Sequence, residues 1–522
     1  VSPPVVIVGG GPVGLVAGLL LGQRGQRCVV LERDAAPFAL PRAAHLDDAA
    51  LRVFQQLGVL DVIAPHLSPT STYVVTDRDG AALLSIVRTA RPQGHPQSVL
   101  CHQPSVEAAL RTAAWADPLV DLRTGWEVMG LHSGAVGPSH VVARSPDRAE
   151  VGLAASAILG CDGAASTVRR LLGVGVADRG FDQRWLVVDL LLDRRPAALT
   201  LPQQRCDPSR ASTSVPMGPG RHRIEVLLHP AEAEADMLAP ARVRAFLGTW
   251  LDPETVTVER AAVYAFHALA ARRWRVGETF LLGDAAHQMP PFLGQGLCAG
   301  IRDAANLAWK LAQVLAGAAR PELLDTYAEE RAPHVAATTA RSVALGRLVT
   351  GAGPVWELAR RGVATSVGAL PPLRRRVEGL RPPPLPAGPL VVRPRRGGAG
   401  DPLPQPALDD GTGARPGDAL LGPGFALVGV GVDPLDGADP AAGRIWAALG
   451  ARRLAVVPPG AAHPVQPPAG LDWVDDPSGA LAAWFRAVGA DRAVVRPDRV
   501  VLGVARDGAG VEELTARLAR LL

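Results

Sequence analysis

The chain has 522 residues, 48% of them hydrophobic and 20% charged, which is enough for two or three folded units with real cores and argues against disorder. Its formal charge of +4 arises from 54 basic and 50 acidic residues interleaved along the sequence, with Lys310 the single lysine. That describes a solvated mixed surface and argues against nucleic-acid or membrane-surface attraction.

Val5 to Val8 forms a short β-rich run, followed by glycines and a helical stretch from Pro12 to Arg24. Cys28 to Leu31 makes a second apolar strand ending in Glu32, so the unit reads β-α-β and predicts a parallel sheet in an α/β fold. The apolar start has no basic leader and is broken by Gly9, Gly10, Gly11 and Gly14, which suits a strand–turn–helix better than a signal peptide or membrane span. From Tyr73 to Pro96, and again from Phe181 to His267, alternating apolar residues and turn signals predict an antiparallel sheet, with strands such as Trp185 to Leu192 and Arg223 to Leu228. After Thr279 a strand, a loop and a long helix return to the first domain. Proline, glycine and arginine dominate Leu370 to Pro416, which is linker composition. Beyond it, strands are expected at Phe425 to Val432, Arg453 to Val457, Ala493 to Val495 and Val500 to Val504, with helices at Ala441 to Leu449, Ala480 to Val488 and Val511 to Leu521.

The five cysteines, Cys28, Cys101, Cys161, Cys206 and Cys298, are odd in number and contain no Cys-x-x-Cys pair. This argues against a disulfide framework, a zinc site or any dithiol centre, predicts no metal, and suits a reducing cytoplasm.

Three separated motifs carry the chemistry. In Gly9-x-Gly11-x-x-Gly14, the first glycine permits a tight turn, the second lets backbone approach a pyrophosphate, and the third allows close helix–strand packing. The helix N-terminus then faces phosphates, and Glu32, 18 residues past Gly14, is placed for ribose hydroxyls. No second fingerprint of this kind is evident, since Gly411-x-Gly413 lies in the linker stretch and follows no expected strand, so a nicotinamide would bind elsewhere or transiently. The second motif runs from Gly160 through Asp162 and Gly163 to Ser166 and Arg169, where a strand delivers Asp162 to its C-terminal end and Ser166 is a reasonable N-cap. The third, Phe280 to Gly296, contains Gly283-Asp284, His287, Pro290-Pro291-Phe292 and Gly294-Gln295-Gly296 before a helix with Leu297 and Ile301 on its buried face. A strand ending in Gly-Asp can point a carboxylate at a polyol, and the positive helix end can meet a developing anion. A flavin supplies both groups.

With these residues in place, the chain resembles the class A flavoprotein monooxygenases, the p-hydroxybenzoate hydroxylase superfamily. The third motif and its helix through Asp303-Ala-Ala-Asn306-Leu-Ala-Trp309-Lys310-Leu311 are similar to the 3-(3-hydroxyphenyl)propionate hydroxylase-like branch, which includes enzymes that modify aromatic polyketides. The resemblance implies a Rossmann-like FAD-binding domain in three parts, 1–72, 97–178 and 268–385, the last with a helical segment. A substrate domain at 73–96 and 179–267 interrupts it. A linker at 386–416 then leads to a thioredoxin-like C-terminal domain at 417–522, which lacks cysteine and so any thiol redox role. Gly9, Gly11, Gly14, Glu32 and Arg33 would hold the ADP half of FAD. Arg42, in Pro41-Arg42-Ala43, would lie near the pyrophosphate and mobile flavin, and Gln103 and Asp284 near the ribityl chain. Asp162 would serve FAD and NAD(P)H use, and Pro291, Gly294, Gly296 and Leu297 would flank the isoalloxazine ring.

The resemblance further implies that NAD(P)H reduces FAD and that a flavin C4a-hydroperoxide hydroxylates a phenolic aromatic small molecule, phenylpropionate-like or polyketide-type, with O2 as co-substrate. A Baeyer-Villiger oxygenase, an epoxidase, a flavin reductase or dehydrogenase, and a non-catalytic flavoprotein use the same scaffold and stay open. The weak candidates for a base are His45, Tyr264 and His267, with His222 and His229 behind them. Trp185, Met217 and Phe292 are weak candidates for the substrate pocket. The chain is expected to be a monomer or homodimer.

Overall fold

The computed structural model describes residues 2–37, 42–132, 139–393, 397–461, 468 and 470–522. The chain divides into two compact units, one of Val1–Ala90, Pro96–Ala304 and Val335–Arg381, the other of Arg91–His95, Ala305–His334 and Pro382–Leu522.

The first unit is built on a six-stranded sheet in the order Arg275–Val276, Thr279–Leu281, Ala157–Gly160, Val5–Val8, Cys28–Glu32, Val120–Thr124. Its five inner and far strands pair in parallel, and only the Arg275–Val276 edge is antiparallel. Val5–Val8 and Ala157–Gly160 are buried at every position, which is why both read as unbroken apolar runs: each sheet face is covered. The three motifs emerge from the C-terminal ends of three adjacent strands of this sheet, where ligands of open α/β sheets collect.

The second sheet of this unit has eight strands, with the long Val176–Leu191 and Thr257–Ala271 paired along most of their length. The sequence predicts an antiparallel sheet, and the structure departs from it at one pair: Gln203–Arg205 runs parallel to Thr72–Thr76. Those strands come from two distant chain segments, so no hairpin dictates their direction. His287–Gln288, inside the third motif, adds to the edge of this sheet beside Leu269 and Ala270. Two helices, Pro354–Ala369 and Pro371–Glu378, lie in the last segment of the unit. The second lies where composition predicts linker. Pro371 and Pro372 occupy its opening turn, where a missing N–H costs nothing, so proline begins this helix instead of forbidding it.

The second unit carries a seven-stranded mixed sheet with Ala426–Val430 central, parallel to Arg452–Val457 on one side and antiparallel to Arg492–Val495 on the other. The helix Ala480–Val488 has the predicted bounds, and Pro440–Ala448 and Gly508–Ala519 lie within a few residues of theirs. Part of the expected linker is ordered here too. Ala407–Asp409 pairs with Ala414–Pro416, so Gly411-x-Gly413 does follow a strand, but it closes a hairpin and opens no helix. Asp409 Oδ1 accepts from the amides of Gly411 and Gly413, both at positive φ (88° and 120°), which explains the glycines as turn residues.

Buried in this unit, the single lysine belongs to an ion cluster. Lys310 Nζ donates to Glu330 Oε2 (2.8 Å) and Asn306 Oδ1 (2.9 Å), and Arg496 makes a fork to both Glu330 oxygens (2.7 and 2.9 Å) and reaches Asp498 (2.6 Å). No helix among the described residues is long and apolar enough to cross a membrane. Among the same residues no group of three or more His, Cys, Asp or Glu side chains is placed to hold a metal.

Candidate active site

The first motif folds as its glycines require. Gly9 has φ +105°, and a Cβ there would stand 2.5 Å from the Cys161 carbonyl oxygen, so the first turn presses on the backbone of the second motif. A Cβ on Gly14 would meet Gly9 O at 2.0 Å. Gly11 differs: its φ is −76°, any residue could adopt it, and a Cβ would meet nothing within 4 Å. Gly11 is the N-cap of Pro12–Gly22 and makes no side-chain cap, so the first amides of that helix are left for a ligand. Glu32 accepts from Gly10 N (2.7 Å) and Asp34 N (2.8 Å), bracing the turn while keeping further lone pairs. Arg33 is exposed and pairs with Asp34.

In the second motif Ser166 caps the helix Thr167–Leu171 as its spacing predicts. Asp162 turns both oxygens to that helix start, accepting from Ser166 Oγ (2.5 Å) and Val168 N (3.0 Å). Arg169 crosses to the third motif, donating to Ala285 O and Ala164 O, both at 2.8 Å. The third motif and its helix also abut the first, since a Cβ on Gly283 would stand 3.2 Å, and one on Gly300 2.6 Å, from Val13 Cγ2. The three motifs therefore close on one another through contacts that leave room for little besides glycine or backbone.

Asp284 follows in the short turn Gly283–Ala285 and presents its side chain to the central cavity. Surrounding protein raises its carboxyl above the ordinary value, with His287 and Arg42 opposing. Below it His287 is buried, bonded through Nε2 to Asp303 (2.7 Å), which also accepts from Gly283 N (3.1 Å). Gly294 is left-handed (φ +62°) and its carbonyl meets His45 Nδ1 at 3.1 Å, while His45 Nε2 meets Ser98 Oγ at 3.0 Å. Burial pushes the His45 imidazole down, Asp47 opposing, and its two ring contacts tie the glycine turn to Ser98. Gln103 Oε1 accepts from Arg42 N (3.1 Å) and Ala43 N (2.7 Å) and so fastens that loop. Pro41, part of the same motif, lies outside the described residues.

Every residue expected at the cofactor except Gly14 lines a single cavity of about 1020 Å³, which runs on to the face of the eight-stranded sheet. Trp185, Tyr264, His267 and Phe292 line its far part; Phe292 sits edge-on between Phe181 (5.8 Å) and Trp185 (5.9 Å). His267 stands 3.5 Å from Asp182, and Tyr264 stacks with Phe266 at 6.2 Å. Three candidates fall elsewhere. Met217 is fully buried in the core off the cavity; His222 is also buried, paired with Ser214 (2.8 Å); and His229 is exposed. Tyr73, Arg223, Glu225 and Arg360, which belong to no motif, line the cavity as well. The strand residues among them could have been found by period-2 alternation, because Tyr73 with Val75, and Arg223 with Glu225, project to the same side.

A turn with an unexplained open glycine, an uncapped helix start and a carboxyl set beyond it fits FAD. The model of the FAD binding domain family matches residues 2–342, and that of the HcaD C-terminal domain matches residues 400–521. The chain belongs to the class A FAD-dependent monooxygenases. This monooxygenase is 34% identical over 520 residues to a probable NADH-specific resorcinol 4-hydroxylase of Rhodococcus jostii (strain RHA1), covering 98% of the chain and 94% of the relative. It is 35% identical to a 3-(3-hydroxy-phenyl)propionate/3-hydroxycinnamic acid hydroxylase of Mycobacterium sp. (strain JLS), covering 96% and 88%. In fold it is similar to the flavin-dependent monooxygenase PieE, crystallised with FAD and substrate (TM-score 0.80, 24% identity, 100% and 99% of the chains covered). It is also similar to the anhydrotetracycline hydroxylase OxyS of Streptomyces rimosus (TM-score 0.77, 24% identity, 99% of each chain). The monooxygenase is thus an FAD- and NAD(P)H-dependent enzyme of the class acting on phenolic or polyketide-type aromatic molecules.

Proposed function

We propose that the enzyme hydroxylates a small phenol of the resorcinol or hydroxyphenylpropionate kind, in the chamber between the third motif and the eight-stranded sheet. The observation that carries this reading is the continuity of the cavity: one end is the open glycine turn, the other an aromatic wall of Trp185 and Phe292. Its volume of about 1020 Å³ is at the top of the ~300–1,000 Å³ usual for one ligand, which suits a cofactor and substrate together. Both relatives named above bear the names of phenol hydroxylases.

Gly9, Gly11, Gly14, Glu32 and Arg33 would hold the ADP half of FAD, and the helix starting at Pro12 its pyrophosphate. Asp284 would receive the ribityl hydroxyls, with Arg42 and the Gln103 amide beside them. Asp162 orders the turn that Arg169 ties to the third motif. Pro291, Gly294, Gly296 and Leu297 would flank the ring, where the first amides of the helix Gly296–Leu315 can offset negative charge. Bound FAD supplies oxygen activation at the expense of NAD(P)H. The chain's own residues orient the phenol and keep water out.

Three finer readings accompany this one. The FAD-binding domain would run through 1–72, 97–178 and 268–385, with the substrate domain at 73–96 and 179–267 between its parts. Residues 417–522 would be thioredoxin-like, supported by a sheet parallel on one side of Ala426–Val430 and antiparallel on the other. The five free, buried cysteines support a reducing cytoplasm, with the enzyme acting as a monomer or homodimer.

The test is oxidation of NADH and NADPH with oxygen uptake across resorcinol, hydroxyphenylpropionates and polycyclic phenols. Stimulated turnover with a product heavier by one oxygen is the expected result. A ketone substrate yielding an ester would move the Baeyer-Villiger reading ahead, and FAD without stimulation by any aromatic would overturn the hydroxylase.

A further inference from the structure

One row of residues crosses the cavity face of the eight-stranded sheet in register: Val187, Glu225, Thr213, Gln204, Val75. All five line the cavity. Two of its three polar members are satisfied by their neighbours, since Thr213 Oγ1 donates to Gln204 Oε1 (2.9 Å) and Gln204 Nε2 donates to Ser212 O (3.0 Å). Glu225 is not. Its carboxylate accepts no hydrogen bond from any described residue, and its nearest cation, Arg223 Nη1, is 3.8 Å away.

That cation is already committed. Arg223 gives Nε and Nη2 to Asp189 (2.7 and 3.1 Å) and Nη1 to the carbonyl of Arg42 (2.8 Å), while Arg260 adds a second positive charge 3.7 Å from Asp189. Across the chamber floor the other titratable group that senses Glu225 is Tyr73, whose phenol is raised by burial, then by Cys206 and Glu225, and stays a neutral donor. A carboxylate with 12% side-chain exposure and no hydrogen bond from the protein faces a cavity that Trp185, Val187, Val75 and Phe292 also line. A ligand O–H is the group that would complete it.

We propose that Glu225 is the catalytic residue that accepts the hydrogen bond, and then the proton, of the substrate's phenolic hydroxyl. The proposal rests on the phenol-hydroxylase reading above. The O–H bond of the phenol breaks, its proton and the carboxylate form a new O–H bond on Glu225, and the electron pair stays on the phenolate oxygen. There it enriches the ring carbons ortho and para to it. Water takes the proton back when product leaves. Burial raises the Glu225 carboxyl and so brings it closer to the working pH, Arg223 opposing and Asp189 adding to the shift.

The test compares the FAD-loaded full-length enzyme with Glu225→Gln and Glu225→Asp, using resorcinol and 3-(3-hydroxyphenyl)propionate as probes. FAD content and anaerobic reduction by NADH are measured beside product formation from pH 5.5 to 9. The wild type is expected to lose kcat/KM as acidity protonates Glu225. Glu225→Gln should hydroxylate about 100-fold or more slowly and lose that acid limb. FAD content should be unchanged, and Glu225→Asp should keep the limb at a reduced rate. Wild-type rate and an intact acid limb in Glu225→Gln would overturn the proposal while leaving the enzyme a phenol hydroxylase. A wild type stimulated by no phenol would overturn both. Equal loss in Glu225→Gln and Glu225→Asp together with lost FAD would assign Glu225 to folding and overturn the catalytic role.

Discussion

Arg169 donates from Nη1 to the backbone carbonyl of Ala285 at 2.8 Å, joining residues 116 positions apart in sequence. The same guanidinium holds Ala164 O through Nη2, so one side chain locks the second motif to the turn that presents Asp284. Charge-assisted bonds of this kind contribute about 1.5–3 kcal/mol each. Arg169→Ala should therefore weaken FAD retention about tenfold or more and lower the thermal midpoint. Dialysis against FAD-free buffer followed by flavin absorbance checks the first, and calorimetry the second. Unchanged retention would place the lock outside the cofactor site.

The glycines of the first motif separate by cause. Gly14→Ala forces a Cβ to 2.0 Å from Gly9 O and should unfold or strongly destabilise the protein even without FAD. Gly11→Ala meets nothing within 4 Å and should leave the apoprotein as stable as wild type while abolishing tight FAD binding. Thermal melts of the apoproteins and flavin titration distinguish the two. Normal FAD binding by the Gly11→Ala variant would mean the pyrophosphate lies elsewhere.

Gly346 sits against Phe292, whose Cε2 would be 2.5 Å from an added Cβ. Phe292 has Phe181 and Trp185 on its other edges, so Gly346→Ala should push the ring into the cavity. The expected outcome is a higher KM for polycyclic phenols, a smaller change for resorcinol, and an unaltered FAD content. Steady-state kinetics on the two substrate sizes reads this directly.

Glu330 compensates Lys310 and Arg496 in a region where none of the three is more than 4% exposed at its side chain. Removing one partner of such a cluster leaves charge buried without compensation, so Glu330→Gln should destabilise by about 3–5 kcal/mol in denaturant unfolding. Burial alone would raise the Glu330 carboxyl, but Arg496 and Lys310 outweigh it and hold it at about 2. A carboxyl depressed on folding adds stability that is complete above its unfolded value, about 4.3, and lost as pH falls toward 2. Wild type should accordingly lose stability across that acid window, and Glu330→Gln should lose less of it.

What the chain encodes locally was readable. Glycine spacing, apolar runs and cap residues act over a few positions, so the turn at Gly9 to Gly14, the cap at Ser166 and the helix Ala480–Val488 follow from nearest neighbours. Proline-rich composition misled for the converse reason. Pro371 and Pro372 begin a helix, and Gly411 and Gly413 close a hairpin, because position within an element decides what those residues do. Only the tertiary structure could assemble the wall of the cavity. Val187, Glu225, Thr213, Gln204 and Val75 lie on five strands, and they form one row only because pairing between distant segments sets their register. The same holds for His45, whose contacts to Gly294 and Ser98 join segments far apart in the chain. A side chain's chemistry is written in its residue type, but whether its lone pairs are spent on the protein or left for a substrate depends on what the fold brings beside it.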